Sequence, residues 1–172
     1  MKALKIIFGI VAALAIAILV IAAVLPSEYH VERSIEINKP ASEIFPHVVD
    51  LHNWDAWSPY RAADLEAKYE YSGNGVGSKM SWEGEVVGVG SLTIKEITPH
   101  KEMKTHLKFV DPQMTESDGT WTFEESANGT RVTWANDGKL GYPMGRVFGL
   151  FLDGMIGTEF QKGLNNLKKT VE

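Results

Sequence analysis

The stretch "PMGRVFGLFLDGMIGTEFQKGLNNLKKTVE", residues 143–172, decides how the chain folds. Leu152, Ile156, Phe160, Leu164, Leu167 and Val171 recur three or four residues apart, the period of one apolar face on a helix. Phe148, Phe151 and Met155 widen that stripe at its start. Lys168 and Lys169 stand in the last turn, where the helix dipole favours positive charge. The spacing predicts one long C-terminal helix whose apolar face needs a partner.

The partner is written upstream. "YHVERSIEI" (29–37) puts Tyr29, Val31, Ile35 and Ile37 on one parity, the alternation of a half-buried strand. "LEAKYEYS" (65–72) alternates too, and "GNGVG" (73–77) carries the Asn-Gly hairpin signal. "SKMSWEGEV" and "GSLTIKEIT" follow as strands. "KEMKTHLKF" (101–109) places Met103, Thr105, Leu107 and Phe109 on one face and charged groups on the other. "TWTFEES" and "TRVTWAN" read as a hairpin around "ANGT", with Trp121, Phe123, Val132 and Trp134 inward. "NKPASEIFPHVVDL", after the first strand, carries helix signals with Pro46 as an expected interruption. A curved antiparallel sheet must cover its concave face, and of the domain's elements only the terminal helix is long enough to do so. The expected fold is α+β: a curved antiparallel sheet wrapped around the long C-terminal helix, short helices after the first strand, and a space between sheet and helix.

This order of elements resembles the SRPBCC superfamily, the START-like helix-grip fold, and within it the polyketide cyclase/dehydrase-like branch. The resemblance rests on "NWDAWSP" (53–59), "GVGSKMSWEG" (75–84), "GTRVTW" (129–134) and "EFQKGLNNLKKTVE" (159–172). It implies two short helices closing one end of a cavity, and a ligand class of lipids, sterols, hormones or polyketides. It also implies that Trp54, Trp57 and Tyr60 wall that end. Fold alone does not fix chemistry.

The residues assign the cavity a lining of Trp54, Trp57, Met80, Trp82, Leu92, Leu107, Phe109, Trp121, Phe123, Trp134, Phe151, Leu152 and Met155. These include all five tryptophans. Two readings stay open: a pocket for a hydrophobic guest, or rings that fill the space themselves. Arg33 shares the inward parity of Val31 and Ile35. It could meet a ligand's carboxylate, or sit at the rim bonded to an acid of the protein.

A catalytic reading is poorly supplied. His30, His47, His52, His100 and His106 form no metal-binding spacing, and no catalytic residue, metal or cofactor is assigned. His52 near Asp55 resembles a base with its orienter, and equally an ordinary polar turn. The glycines of "GNGVG" and Gly84, Gly88 and Gly90 lie between strands and lack a phosphate loop's Lys-Ser/Thr. "NGT" (128–130) is a formal glycosylation sequon in a tight turn. A cyclase or dehydratase is the alternative to binding, and a partner-binding module with a filled core is the third class.

The first residues are a separate object. Residues 6–25, "IIFGIVAALAIAILVIAAVL", are uncharged and mostly apolar, and about 20 helical residues span the ~30 Å hydrocarbon core. The run exceeds the ~7–15 residues of a signal-peptide core, and "AAVLPSE" is a weak cleavage site. The expected organisation is a membrane signal-anchor over 1–26 and the helix-grip domain over 27–172. Lys2, Lys5 and the amino terminus precede the run, while Glu28, Glu32, Arg33 and Glu36 follow it. The positive-inside rule then leaves the N-terminus cytoplasmic and the domain extracytoplasmic in a single-pass topology. The 172-residue chain has net charge −5; without Lys2 and Lys5 it carries 15 bases against 22 acids. Scattered bases on an acidic domain are a poor match for nucleic acid. The expected partners are a hydrophobic small molecule or lipid and the membrane, with no protein partner specified. With no cysteine, disulfides, a thiolate nucleophile and Cys-ligated metal are excluded.

Overall fold

The computed structural model describes residues 2–111 and 114–172. The chain runs α1 (Lys2–Val24), β1 (Glu28–Ile37), α2 (Ala41–Val49), a 3-10 helix (Leu51–Ala56), α3 (Pro59–Ala63) and β2 (Lys68–Ser72). It continues β3 (Lys79–Gly84), β4 (Gly88–Thr98), β5 (Glu102–Asp111), β6 (Thr115–Ser126), β7 (Gly129–Lys139) and α4 (Met144–Val171). Seven strands form one antiparallel sheet in the order β1-β7-β6-β5-β4-β3-β2. Consecutive strands from β2 to β7 are neighbours, and β1 returns beside β7. The expected helix-grip fold is present, with α4 packed along β1.

The register puts the inward-facing residues in line. Trp121 stands opposite Trp134, and Phe123 opposite Val132. Arg33 is paired with Trp134 across β1 and β7. The sheet therefore has two distinguishable ends. At one end lie the starts of β1, β6 and α4, the end of β5 and the turn joining β3 to β4. At the other lie α2 and the turns joining β2 to β3, β4 to β5 and β6 to β7. Ile44, Phe45 and Val48 of α2 are buried at this second end, with Phe45 edge-on to Phe123 at 5.1 Å. The second end is closed.

Between the ends the grip is filled by aromatic rings. Trp121 stacks on Trp134 at 4.4 Å, and Trp134 stacks on Phe160 of α4 at 4.0 Å. Trp54 and Trp57 meet both tryptophans edge-on at 5.6–6.0 Å. Each such pair contributes about 0.5–1.5 kcal/mol beyond its buried area. Helix α4 can approach this closely because Gly163 lacks a Cβ, which would stand 2.9 Å from the Trp134 ring.

Several local expectations are corrected. Helix α2 runs through Pro46 without a break; one proline in a short helix removes only the bond to the carbonyl of Ser42. The Trp-bearing stretch contains the 3-10 helix Leu51–Ala56. Strand β2 begins at Lys68 rather than residue 65, because Asp64 bends the chain and accepts from Val86 N at 2.9 Å and Val87 N at 3.3 Å. Phe148, Phe151 and Met155 are exposed, so the buried stripe of α4 is narrower than expected and starts later. The glycines at 73, 75, 77 and 88 have positive φ and lie in hairpin connections, as expected.

Trp134→Ala should destabilise the domain by about 3–5 kcal/mol in urea unfolding, as for other large aromatic truncations in cores. Asp64 should make stability pH-dependent. The backbone N–H of Val86, joined by that of Val87, holds its carboxyl below the ordinary value. Its contribution is therefore complete above about pH 4 and lost as pH falls further, through its folded value. Asp64→Asn should be less stable than the parent at pH 7, and the gap should narrow as the pH falls below the ordinary carboxylate range.

Candidate functional site

The two tryptophans of "NWDAW" answer to the end of α2. A helix leaves its last carbonyls without intrahelical partners. Trp57 Nε1 donates to His47 O at 3.0 Å, and Trp54 Nε1 donates to Val48 O at 2.8 Å. Asn53 Nδ2 donates to Pro46 O at 3.1 Å. An indole offers one donor and a large apolar body. Each ring thus caps a carbonyl with its edge and fills the grip with its faces. Trp54, Trp57, Trp121 and Trp134 are all within 0–6% of full burial. They are packed against one another and against α4, which leaves the centre of the concave face no free apolar surface.

The rest of the expected lining separates into groups. Phe123 belongs to the closed end with Phe45. Met80 and Leu92 are buried beside each other on β3 and β4. Trp82 lies toward the first end, its Nε1 donating to Val87 O at 3.2 Å and its ring edge-on to Phe109 at 5.4 Å. Leu107 and Phe109 are half-buried on the concave side of β5. Leu152 is half-buried on α4, whereas Phe151 and Met155 face outward at 60% and 54% exposure. Tyr60 is about one-third exposed on α3, next to the first end. The structure therefore brings Trp82, Leu107 and Phe109 together as an apolar floor on the concave face at that end.

A polar line crosses the same end. Tyr29 Oη donates to Asn136 Oδ1 at 2.7 Å, and Asn136 Nδ2 donates to Ser117 Oγ and Asp118 O at 3.2 Å each. Burial pushes the Tyr29 phenol above its ordinary value, so it is neutral and a donor at physiological pH. Thr105 Oγ1, buried nearby on β5, donates to Gly119 O at 3.3 Å. Neither Tyr29 nor Asn136 stands out as a site residue in the sequence pattern. The inward parity of Tyr29 was legible, but its partner is 107 residues away.

Arg33 is a rim arginine held by the protein's own acid. Its Nη1 and Nη2 donate to the two Asp153 carboxylate oxygens at 2.9 and 3.0 Å. Gly157 makes room for the guanidinium, which would touch a Cβ there. The pairing holds the Asp153 carboxyl below its ordinary value. His52 does not use Asp55: its Nδ1 lies 3.0 Å from Asp50 Oδ1, and its ring stacks on Tyr71 at 4.5 Å. Asp55 instead accepts from Tyr71 Oη at 2.7 Å and faces Arg61 Nε at 3.4 Å. His52, Tyr71, Ser78 and Lys79 line a polar cleft of about 200 Å³ at the closed end. Among the described residues no cluster of His, Asp and Glu is arranged to hold a metal.

A seven-stranded sheet gripping a C-terminal helix, with an apolar floor and a short polar line at one end, defines a helix-grip protein of the SRPBCC kind. Residues 28–172 match the family described as polyketide cyclase / dehydrase and lipid transport, and the chain belongs to that family. No curated protein matches the sequence closely enough to count as a relative. Among solved structures, protein CV1439 from Chromobacterium violaceum aligns with TM-score 0.61 and 16% identity, over 86% of this chain and 99% of its own. The di-domain ARO/CYC BexL from the BE-7585A biosynthetic pathway aligns with TM-score 0.67 and 16% identity, over 89% of this chain and 53% of its own. Ara h 8.0201 aligns with TM-score 0.61 and 10% identity, over 84% of this chain and 97% of its own. At these identities the likeness is one of fold.

The Tyr29–Asn136–Ser117 line should behave as one unit. Tyr29→Phe should cost about 1 kcal/mol, and Asn136→Ala about 1–3 kcal/mol because it strands buried partners. The double variant should cost less than the sum in urea unfolding.

Proposed function

We propose that this is a membrane-tethered module that binds one hydrophobic small molecule or lipid on the concave face, at the end where β1 and α4 begin. The observation that carries the reading is the asymmetry of the grip. Aromatic rings fill its centre and α2 closes one end. Leu107 and Phe109, backed by the buried Trp82, keep a half-covered apolar floor at the other, beside three linked polar groups. Ligand sites are commonly apolar with a few placed polar groups for orientation. In this reading the guest contacts Leu107, Phe109 and Leu152, while the four central tryptophans serve as its supporting wall. The family's description, which includes lipid transport, agrees with such a guest.

Catalysis is less well supplied. A cyclase or dehydratase needs an acid or base facing its substrate. At this end Tyr29, Thr105, Ser117 and Asn136 are neutral groups bonded to one another or to backbone, and the Asp64 carboxylate is taken up by the backbone N–H groups of Val86 and Val87. Arg33 is engaged by Asp153.

The tether is α1. Leu4–Val24 is long and apolar enough to cross a membrane, and its side chains are almost all exposed in the folded chain. In this reading 1–26 is an uncleaved signal-anchor, 27–172 is the binding domain, and the positive flank stays cytoplasmic with the domain on the other side. Of that flank, the amino terminus and the Lys2 side chain lie outside the described residues.

Native mass spectrometry of residues 27–172, purified without detergent, should show an adduct extractable into organic solvent. Phe109→Gln should lower its occupancy about tenfold, equivalent to roughly 1.4 kcal/mol of binding, with the melting temperature within a few degrees of the parent. A clean mass for the parent domain, or full retention by Phe109→Gln, would remove the reading.

A further inference from the structure

We infer that the open end of the domain lies against the bilayer that α1 spans, with the first half of α4 and the β3–β4 turn seated in the membrane interface. The inference rests on the reading of α1 as an anchor and adds a docked orientation to it. The chain leaves α1 at Val24 and enters β1 at Glu28. Four residue steps reach at most about 14 Å, so this end of the sheet is held close to the bilayer.

Side-chain contacts bring it closer. Tyr142 Oη donates to Leu19 O at 3.0 Å, and Arg146 Nη1 donates to Ala22 O at 3.2 Å. Leu140 N donates to Ser27 O at 2.8 Å. Leu19 lies six residues inside the apolar run, roughly 9 Å along the helix axis from its end. A side chain that reaches its carbonyl is itself at membrane depth. Tyrosine and arginine are residue types that sit at this boundary, with their apolar bodies inward and their polar ends toward headgroups.

The exposed apolar side chains point to the same place. Among the described residues outside α1, those at least half-exposed include Val86 at 71%, Met114 at 70%, Met144 at 65%, Phe148 at 50%, Phe151 at 60% and Met155 at 54%. Val76 is the exception in its position: every other member of that group lies at the anchor end or on the first half of α4. Met144, Phe148, Phe151 and Met155 are spaced four, three and four apart and make a second apolar stripe, about a third of a turn around α4 from the buried one. Val86 sits at the tip of the β3–β4 turn, on the far strands of the sheet from α4. An exposed apolar stripe on a helix that begins beside a membrane anchor fits an interfacial helix.

Charge does not drive this contact. Glu85 and Asp111 flank the apolar tips, which gives no attraction to anionic lipid. Apolar burial supplies the favourable term, and the tether supplies a high local concentration. Docked in this way, the open concave end faces the hydrocarbon boundary, and a hydrophobic guest can pass between bilayer and floor without crossing bulk water.

The natural absence of cysteine allows single labels throughout. The full chain would be placed in phosphatidylcholine–phosphatidylglycerol vesicles with a nitroxide at V86C, F148C or F151C. I16C within α1 and N128C at the closed end serve as references. Collision with oxygen and with a water-soluble nickel complex reports depth. The expected result is that the three rim labels fall between I16C and N128C, with oxygen accessibility well above and nickel accessibility well below those of N128C, unchanged by high salt. An apolar I16C with water-exposed rim labels would overturn docking and leave the anchor reading standing. A water-exposed I16C would overturn both. Rim labels shielded from both reagents and broadened by one another would show a second copy of the chain covering the stripe, and would also overturn the inference.

Discussion

The stack of Trp121, Trp134 and Phe160 joins the sheet to its helix, and the rest of the domain is arranged around it. Two rings come from adjacent strands in direct register, the third from α4, and Trp54 and Trp57 close the group from the connection between β1 and β2. The contact fixes where α4 crosses the sheet, and Gly163 sets how close it comes. It also decides where apolar surface is left uncovered. Five aromatic groups occupy the volume that a helix-grip fold could otherwise leave empty, so free apolar surface is displaced toward the end that α2 does not close.

That displacement gives the domain a direction. The closed end carries α2, three strand connections and the polar cleft around His52. The open end carries the apolar floor, the Tyr29–Asn136–Ser117 line and the junctions to α1. The chain's topology fixes this polarity: β1 runs away from α1, and α4 starts beside it. The apolar helix α1 and the half-covered floor therefore fall on the same side of the molecule. The family, as defined by the match over residues 28–172, covers polyketide cyclases and dehydrases as well as lipid transport.

Much of the architecture was legible in the pattern of residues. Strand parity placed Trp121, Phe123, Val132 and Trp134 inward, and the 3–4 spacing from Leu152 to Val171 gave α4 its buried face. The site was legible only as a set of inward residues. Parity says that Trp82 and Trp134 point into the grip, but does not say that one belongs to a stacked core and the other to a half-covered floor. That depends on which rings meet, and rings on different elements meet only when the chain is folded. The outward stripe of α4 was misassigned for the same reason. Phe148, Phe151 and Met155 are as apolar as the buried residues beside them, and only the path of the helix past the sheet decides which face is covered.

The sequence by itself determined the α+β class, the inward face of the strands, the long C-terminal helix and the apolar N-terminal run, because periodicity and uninterrupted hydropathy are local properties. Only the tertiary structure decided that the grip is filled at its centre, that Arg33 is engaged by Asp153, and that the apolar surface left over gathers where α1 joins the domain. Those outcomes depend on distances between residues such as Tyr29 and Asn136, or Arg33 and Asp153, more than 100 positions apart, and no local pattern encodes a distance of that kind.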